Sequence, residues 1–263
     1  MRYPVSPDTK PGDDLVTLAG RAAVLTAAGH HPYARFAAGM ASDLVGLAGN
    51  GAMVWCGETP FGLTGHALGD RPALDPVLAE ARRRGLLDGL RWINLPRRDA
   101  PGPGYALRDN WDFRWSTRPP PPQAGGDRVV ALDEDAYDAV DALLDLVMPH
   151  STVRPGRPPA IQWYGVWSDG MLVACGADRS TDSAKATAEV EAVGIIAGIA
   201  VHPDHQGRGW GAAVSGTLTA RLREAYNLVT LGVGADNEGA SRLYERLGYT
   251  GVLPVTSVVT LPA

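Results

Sequence analysis

The run Val201–Val214, "VHPDHQGRGWGAAV", decides the fold. Three glycines stand two apart, at Gly207, Gly209 and Gly211, with Arg208 and Trp210 between them. The apolar run "AVGIIAGIAV", Ala192–Val201, precedes it and reads as a buried strand. After it, Val214, Leu218 and Leu222 recur every fourth residue, the core stripe of a helix that runs from about Trp210 to Tyr226. Strand, glycine turn and helix together make an anion site, because the first amides of a helix have no intrahelical acceptor and lie at its positive end.

Which anion follows from what is missing. A Walker loop needs Lys-Ser/Thr after its last glycine, and here Ala212-Ala213 follow. A dinucleotide fingerprint is G-x-G-x-x-G, and here the spacing is G-x-G-x-G. The turn is equipped to hold a pyrophosphate and poorly equipped to transfer phosphate. A carrier whose chemistry lies at its far end suits it.

Gln206-Gly207-Arg208-Gly209-Trp210-Gly211 matches Q-x-x-G-x-G/A, and "ADNEGASRLYERLGYTGV" downstream places Asn237, Ala240, Tyr244 and Gly248-Tyr249 at set spacings. On these two motifs, residues 127–259 resemble the GNAT superfamily of acyl-CoA-dependent N-acetyltransferases. The resemblance implies an α/β (α+β) fold: a mixed, mostly antiparallel sheet flanked by helices. It implies acetyl-CoA as acyl donor, no metal, and direct attack of a primary amine in a ternary complex. It implies that Ile199, Ala200 and Val201 line the pantetheine arm. It assigns Gln206, Gly207, Arg208, Gly209, Trp210, Gly211 and Ala212 to the pyrophosphate, with Asn237, Ala240 and Tyr244 beside the coenzyme. By the same resemblance Tyr244 is the general acid that protonates the departing thiolate. An unperturbed phenol, with a pKa of about 10, carries its proton at neutral pH.

An alkylammonium acceptor, pKa about 10.4, is neutral in roughly one molecule in a few thousand at pH 7, so a base or water chain is expected. The place where relatives carry a glutamate falls near Ile195, which cannot serve. Glu189 and Glu191, at the start of the strand, are the candidate bases, with His150 and His202 as further ones. An acyl-CoA-binding sensor without catalysis is the competing reading.

The segment "STRPPPPQAGGD", Ser116–Asp127, reads as a polyproline spacer followed by flexible glycines. It suggests an N-terminal α/β domain over 1–118, a linker over 119–126 and the catalytic domain over 127–263. In the first part, Leu15–Ala28 and Tyr33–Leu47 are alanine-rich and predicted helical. "AMVWCGE", "LRWINLP" and "WDFRWS" read as strands, and Asp75–Leu87 has helical spacing. That order is compatible with a degenerate second copy of the same fold, completing an acceptor pocket at the domain junction. It has no loop like "QGRGWG", so it is expected not to bind coenzyme A. The adjacent pair His30-His31 reads as surface.

In the second part, "RVVAL" is a strand, and residues 133–148 form an amphipathic helix with Val140, Leu143, Leu144 and Val147 on one face and Asp135, Asp138, Asp141 and Asp145 on the other. "QWYGVWSDGMLVACGAD" is a hairpin turning at Ser168-Asp169-Gly170, "NLVTLGV" is a buried strand, and a short helix covers Asn237–Leu247.

Charge narrows the partners. Residues 1–124 hold 14 Lys+Arg against 12 Asp+Glu (+2), and the remainder 10 against 17 (−7). An acidic half without a basic stripe excludes nucleic acid as the expected ligand. The longest apolar run is too short to span a bilayer, and no signal-type segment opens the chain, so a cytoplasmic protein is expected with no membrane partner. Cys56 and Cys175 lie in apolar runs and read as buried thiols. The expected partner is a small-molecule or peptide amine, and a homodimer is the assembly considered.

Overall fold

A computed structural model describes residues 15–100, 104–157, 162–180 and 192–261. The chain forms two compact units, Met1–Asn110 with Pro254–Ala263, and Trp111–Leu253.

The first unit orders its elements as β1 (Val16–Ala19), α1 (Gly20–Ala27), α2 (Pro32–Gly39), β2 (Ser42–Gly49), β3 (Ala52–Thr59), β4 (Gly62–Leu68), α3 (Arg71–Arg83) and β5 (Trp92–Pro96). The chain passes to the second unit within β6 (Tyr105–Ser116) and returns within β12 (Gly251–Thr260). Strand order in the first unit is β1-β2-β3-β4-β5-β12, antiparallel except for the parallel pair β4–β5. Helix α3 buries Leu74, Val77 and Leu78 against Val54, Ile93 and Val258.

The second unit continues β7 (Val130–Leu132), α4 (Tyr137–Val147), β8 (Gln162–Ser168), β9 (Met171–Asp178), β10 (Gly194–Val201), α5 (Trp210–Ala225), β11 (Val229–Gly234) and α6 (Glu238–Arg246). Strand order is β6-β11-β10-β9-β8-β7, antiparallel except for the parallel pair β10–β11. Helices α5 and α6 cover one core through Val214, Leu218, Leu222, Tyr244 and Leu247. Helix α4 covers the other through Val140, Leu143 and Leu144, with Trp163 and Cys175. The stripe on α5 is fully buried, and each such side chain contributes about 1.5–3 kcal/mol.

Both units therefore use one plan: strand, helix, three antiparallel strands, helix, then a strand parallel to the last of the three. This is the mixed, mostly antiparallel α/β arrangement expected.

Alanine content misled in two places. The stretch expected to be helical over Leu15–Ala28 opens as β1 and turns into α1 only at Gly20. The helix expected over Tyr33–Leu47 stops at Gly39, and residues 42–49 are β2, pairing with β3 and burying Leu44 and Leu47. Alanine favours helices by tenths of a kcal/mol, which strand pairing overrides. His31, expected as a surface residue, is half-buried, and its Nδ1 caps α2 by accepting the Tyr33 amide at 3.1 Å.

The Pro/Gly segment ends packed on α5. A β-carbon at Gly125 would lie 2.8 Å from the Trp210 ring, and one at Gly216 would lie 2.6 Å from Gln123. Among the described residues no helix is long and apolar enough to cross a membrane, and no cluster of three His, Cys, Asp or Glu could hold a metal ion. Both cysteines are buried and free, and burial pushes each thiol up to about 12.

Candidate active site

Two features of the second unit meet at the end of β10. The first is a gap in the sheet. Strand β10 pairs with β11 only at Gly194–Val229 and Ile195–Thr230. Further along, its register against β9 shifts between Ala197 and Ala200. At this bulge Gly198 has φ +62°, and a β-carbon there would lie 2.9 Å from the Trp163 ring. Only glycine combines that backbone with that proximity. Beyond Ile195 the β11-facing edge of β10 is thus available for hydrogen bonding by an extended ligand. Ile199 and Val201 are half-buried on this stretch and Ala200 is buried.

The second feature is the turn that follows. His202 leads into a short turn over Pro203–His205, its Nδ1 accepting the Asp204 amide at 3.3 Å. Gln206 exits it in an extended conformation. Gly207 and Gly209 have φ +73° and +85°, and open space surrounds both α-carbons. Gly209 is the N-cap of α5, and the first ladder bond runs from the Ala213 amide to the Gly209 carbonyl, at 2.9 Å. The amides of Trp210, Gly211 and Ala212 are therefore the free donors of this helix end. Arg208 is exposed, and its guanidinium donates to the Asp204 carbonyl at 3.1 Å.

The Trp210 amide is one of these donors, while its ring packs elsewhere. The indole lies against Gly125, with the Arg128 guanidinium 4.6 Å above the ring centroid. Gly211 packs near Val201 and Leu243, 3.6 Å from a β-carbon at that position, which joins loop, β10 and α6.

On α6, Asn237 caps the helix, its Oδ1 accepting the Ala240 amide at 3.0 Å. The helix closes with Gly248 N–H to Glu245 O and Tyr249 N–H to Tyr244 O, both at 3.0 Å, a Schellman ending. This fixes Tyr244 and Tyr249 with their rings edge to face, 5.8 Å apart. Tyr244 is buried, and desolvation raises its phenol to about 12, with the Ser215 side chain acting in the opposite sense. It is a protonated acid at any physiological pH.

Ser215 and Arg128 were absent from the sequence reading. Both are brought in by packing between elements, and neither belongs to a local motif. Ile195 is buried, as expected of a residue that cannot act as a base. Glu189 and Glu191 lie outside the described residues. His150 is exposed beyond α4, and His202 spends its Nδ1 on the turn.

Comparison with known proteins agrees with this geometry. Residues 176–256 match the family model described as FR47-like protein. Among solved structures, a protein assigned to the GNAT acetyltransferase family from Novosphingobium aromaticivorans aligns at TM-score 0.52 and 24% identity, over 75% of this chain and 84% of that one. A GCN5-related N-acetyltransferase from Sphaerobacter thermophilus aligns at TM-score 0.52 and 15% identity, over 94% of this chain and 95% of that one. No curated protein matches. The fold is that of the GNAT acetyltransferases.

Proposed function

On that fold, we propose that the chain is an acyl-CoA-dependent N-acyltransferase using acetyl-CoA and acting on a primary amine of a small molecule or peptide. The observation that carries this reading is the coincidence of the β10 gap with the free amides of α5. A long ligand with a pyrophosphate at one end and an extended amide-bearing arm satisfies both at once.

Acyl-CoA, when bound, supplies the thioester whose acyl group is transferred. The amides of residues 210–212 hold the pyrophosphate, with Gly207 and Gly209 leaving room for it. The open edge of β10 from Ile199 to Val201 aligns the arm. A β10 amide polarises the thioester carbonyl, and Tyr244 donates its proton to sulfur as the carbon–sulfur bond breaks. Glu189 or Glu191, through water, takes the proton from the incoming amine.

In the first unit the strand that precedes α3 carries no bulge. β4 and β5 remain paired as far as His66–Asn94, and the β3–β4 register has no shift. Tyr33 OH lies 2.9 Å from His66 Nδ1, and Trp55 stacks on the imidazole at 5.5 Å. No glycine loop precedes α3. This unit therefore does not take coenzyme A.

A panel of amines incubated with acetyl-CoA, with mass detection of acylated products, tests the reading. One amine acylated well above the uncatalysed rate supports it. Tight acetyl-CoA binding with no amine-dependent release of coenzyme A would favour the sensor instead.

A further inference from the structure

Strand β11 carries two glycines, Gly232 and Gly234, beyond the point where its pairing with β10 ends. Its alternate residues Val229, Leu231 and Val233 enter the core under α5 and α6. Side chains alternate along a strand, so positions 230, 232 and 234 point to the opposite face. The β6 register sets Trp111 opposite Gly234 and Phe113 opposite Gly232, on that same face. Two side chains lean over the bare glycines. A β-carbon at Gly232 would lie 3.2 Å from the Trp111 ring, and one at Gly234 would lie 3.0 Å from Asp236 Oδ1. Trp111 is half-buried, while Gly232 and Asp236 are exposed. Positions two apart on a strand are separated by about 6–7 Å. An indole and a carboxylate thus flank one exposed patch of backbone beside the gap, on the face away from α5 and α6.

An indole and a carboxylate at that spacing select a cation. We propose that Trp111 and Asp236 form an acceptor subsite for a positively charged group, and that the acceptor is a diamine or polyamine. This inference rests on the acyl-transfer reading of the site. In the transfer, the amine nitrogen bonds to the acyl carbon as the carbon–sulfur bond breaks. The electron pair stays on sulfur, which takes a proton, and the nitrogen gives one up. The attacking nitrogen is neutral, and the amide it becomes carries no charge. A cation held beside the gap through the step is therefore a second group on the same molecule. The acidic balance after residue 124, 10 Lys+Arg against 17 Asp+Glu, favours a dication over a monocation as well.

The test sets straight-chain diamines, from diaminobutane to diaminooctane, each against the monoamine of equal length, with acetyl-CoA saturating. The wild type should prefer the best diamine by about tenfold or more in kcat/KM, with the difference in KM. Asp236→Asn should remove most of that preference and leave the monoamine kcat/KM and the KM for acetyl-CoA unchanged. Asp236 is exposed and Asn237 is the residue that caps α6, so this variant folds. Trp111→Leu should lower the preference about two- to fivefold, the size of an exposed cation–π contact. Glu224→Gln removes an equal charge from an exposed position on α5 and should leave the preference intact.

Equal use of diamine and monoamine, or a preference that Asp236→Asn or Trp111→Leu leaves whole, overturns this inference and leaves the acyl-transfer reading in place. So does a preference that Glu224→Gln lowers as much as Asp236→Asn. A wild type that acylates no amine overturns the acyl-transfer reading and this inference with it.

Discussion

At φ +85° Gly209 holds a backbone shape that costs an L-residue about 1–2 kcal/mol, yet its surroundings are open. A side chain here is opposed by conformation and by whatever occupies the space, and not by protein packing. Gly209→Glu should therefore fold and lose at least ~10-fold in acetyl-CoA affinity by calorimetry, because a carboxylate would stand where the pyrophosphate is held. Unchanged affinity would remove the loop from the site.

His66 makes a separate residue-scale prediction. Burial lowers its pKa to about 3, against about 6.5 in the unfolded chain. The unfolded state then binds the proton first, so stability is full above pH 6.5 and declines as pH falls from there toward 3. Between pH 7 and 5 the loss is roughly 2 kcal/mol. Urea midpoints should fall accordingly, and His66→Gln should flatten the profile; parallel profiles for the two proteins would refute the assignment.

The loop was legible because its residues are contiguous and its glycines are needed where they stand. The packing of Trp210 against Gly125 and Arg128 was not, since it joins residues far apart in the sequence.

Among elements, β10 is shaped by what it lacks. A side chain at Gly198 would meet Trp163 and would also require a left-handed residue inside a strand. Gly198→Val should cost about 1–3 kcal/mol of backbone strain, with overpacking added, and should weaken acetyl-CoA binding by disturbing the bulge. A variant with wild-type Tm and affinity would show that the bulge tolerates a β-branched residue. The run "AVGIIAGIAV" announced a buried strand, and the structure adds a bulge and a close approach to Trp163 at Gly198. Elements 15–49 were harder to read, because alanine and glycine carry no periodicity strong enough to separate a short helix from a strand beside it.

For the whole molecule, the shared plan of the two units makes stoichiometry informative. One unit has the gap and the loop; in the other, β4 carries no bulge against β3 and pairs with β5 from Thr64 to His66. Titration should give one acetyl-CoA per chain, and two equivalents would contradict the reading that only the second unit takes coenzyme A. That the first part resembles the second was legible only as an order of elements, since the motif that marks the family occurs once.

The return of the chain through β12 has a consequence for its synthesis. Val255–Val258 pair with β5, and Ser257 donates to Asn94 Oδ1, 163 residues earlier, at 2.5 Å. Every residue of 111–253 is made before these. The edge of β5 that β12 covers therefore stays unmatched until the chain has been made past residue 255, after all of residues 111–253. A nascent chain paused near residue 250 would expose that edge, and chaperones that guard unpaired strands should engage the protein there.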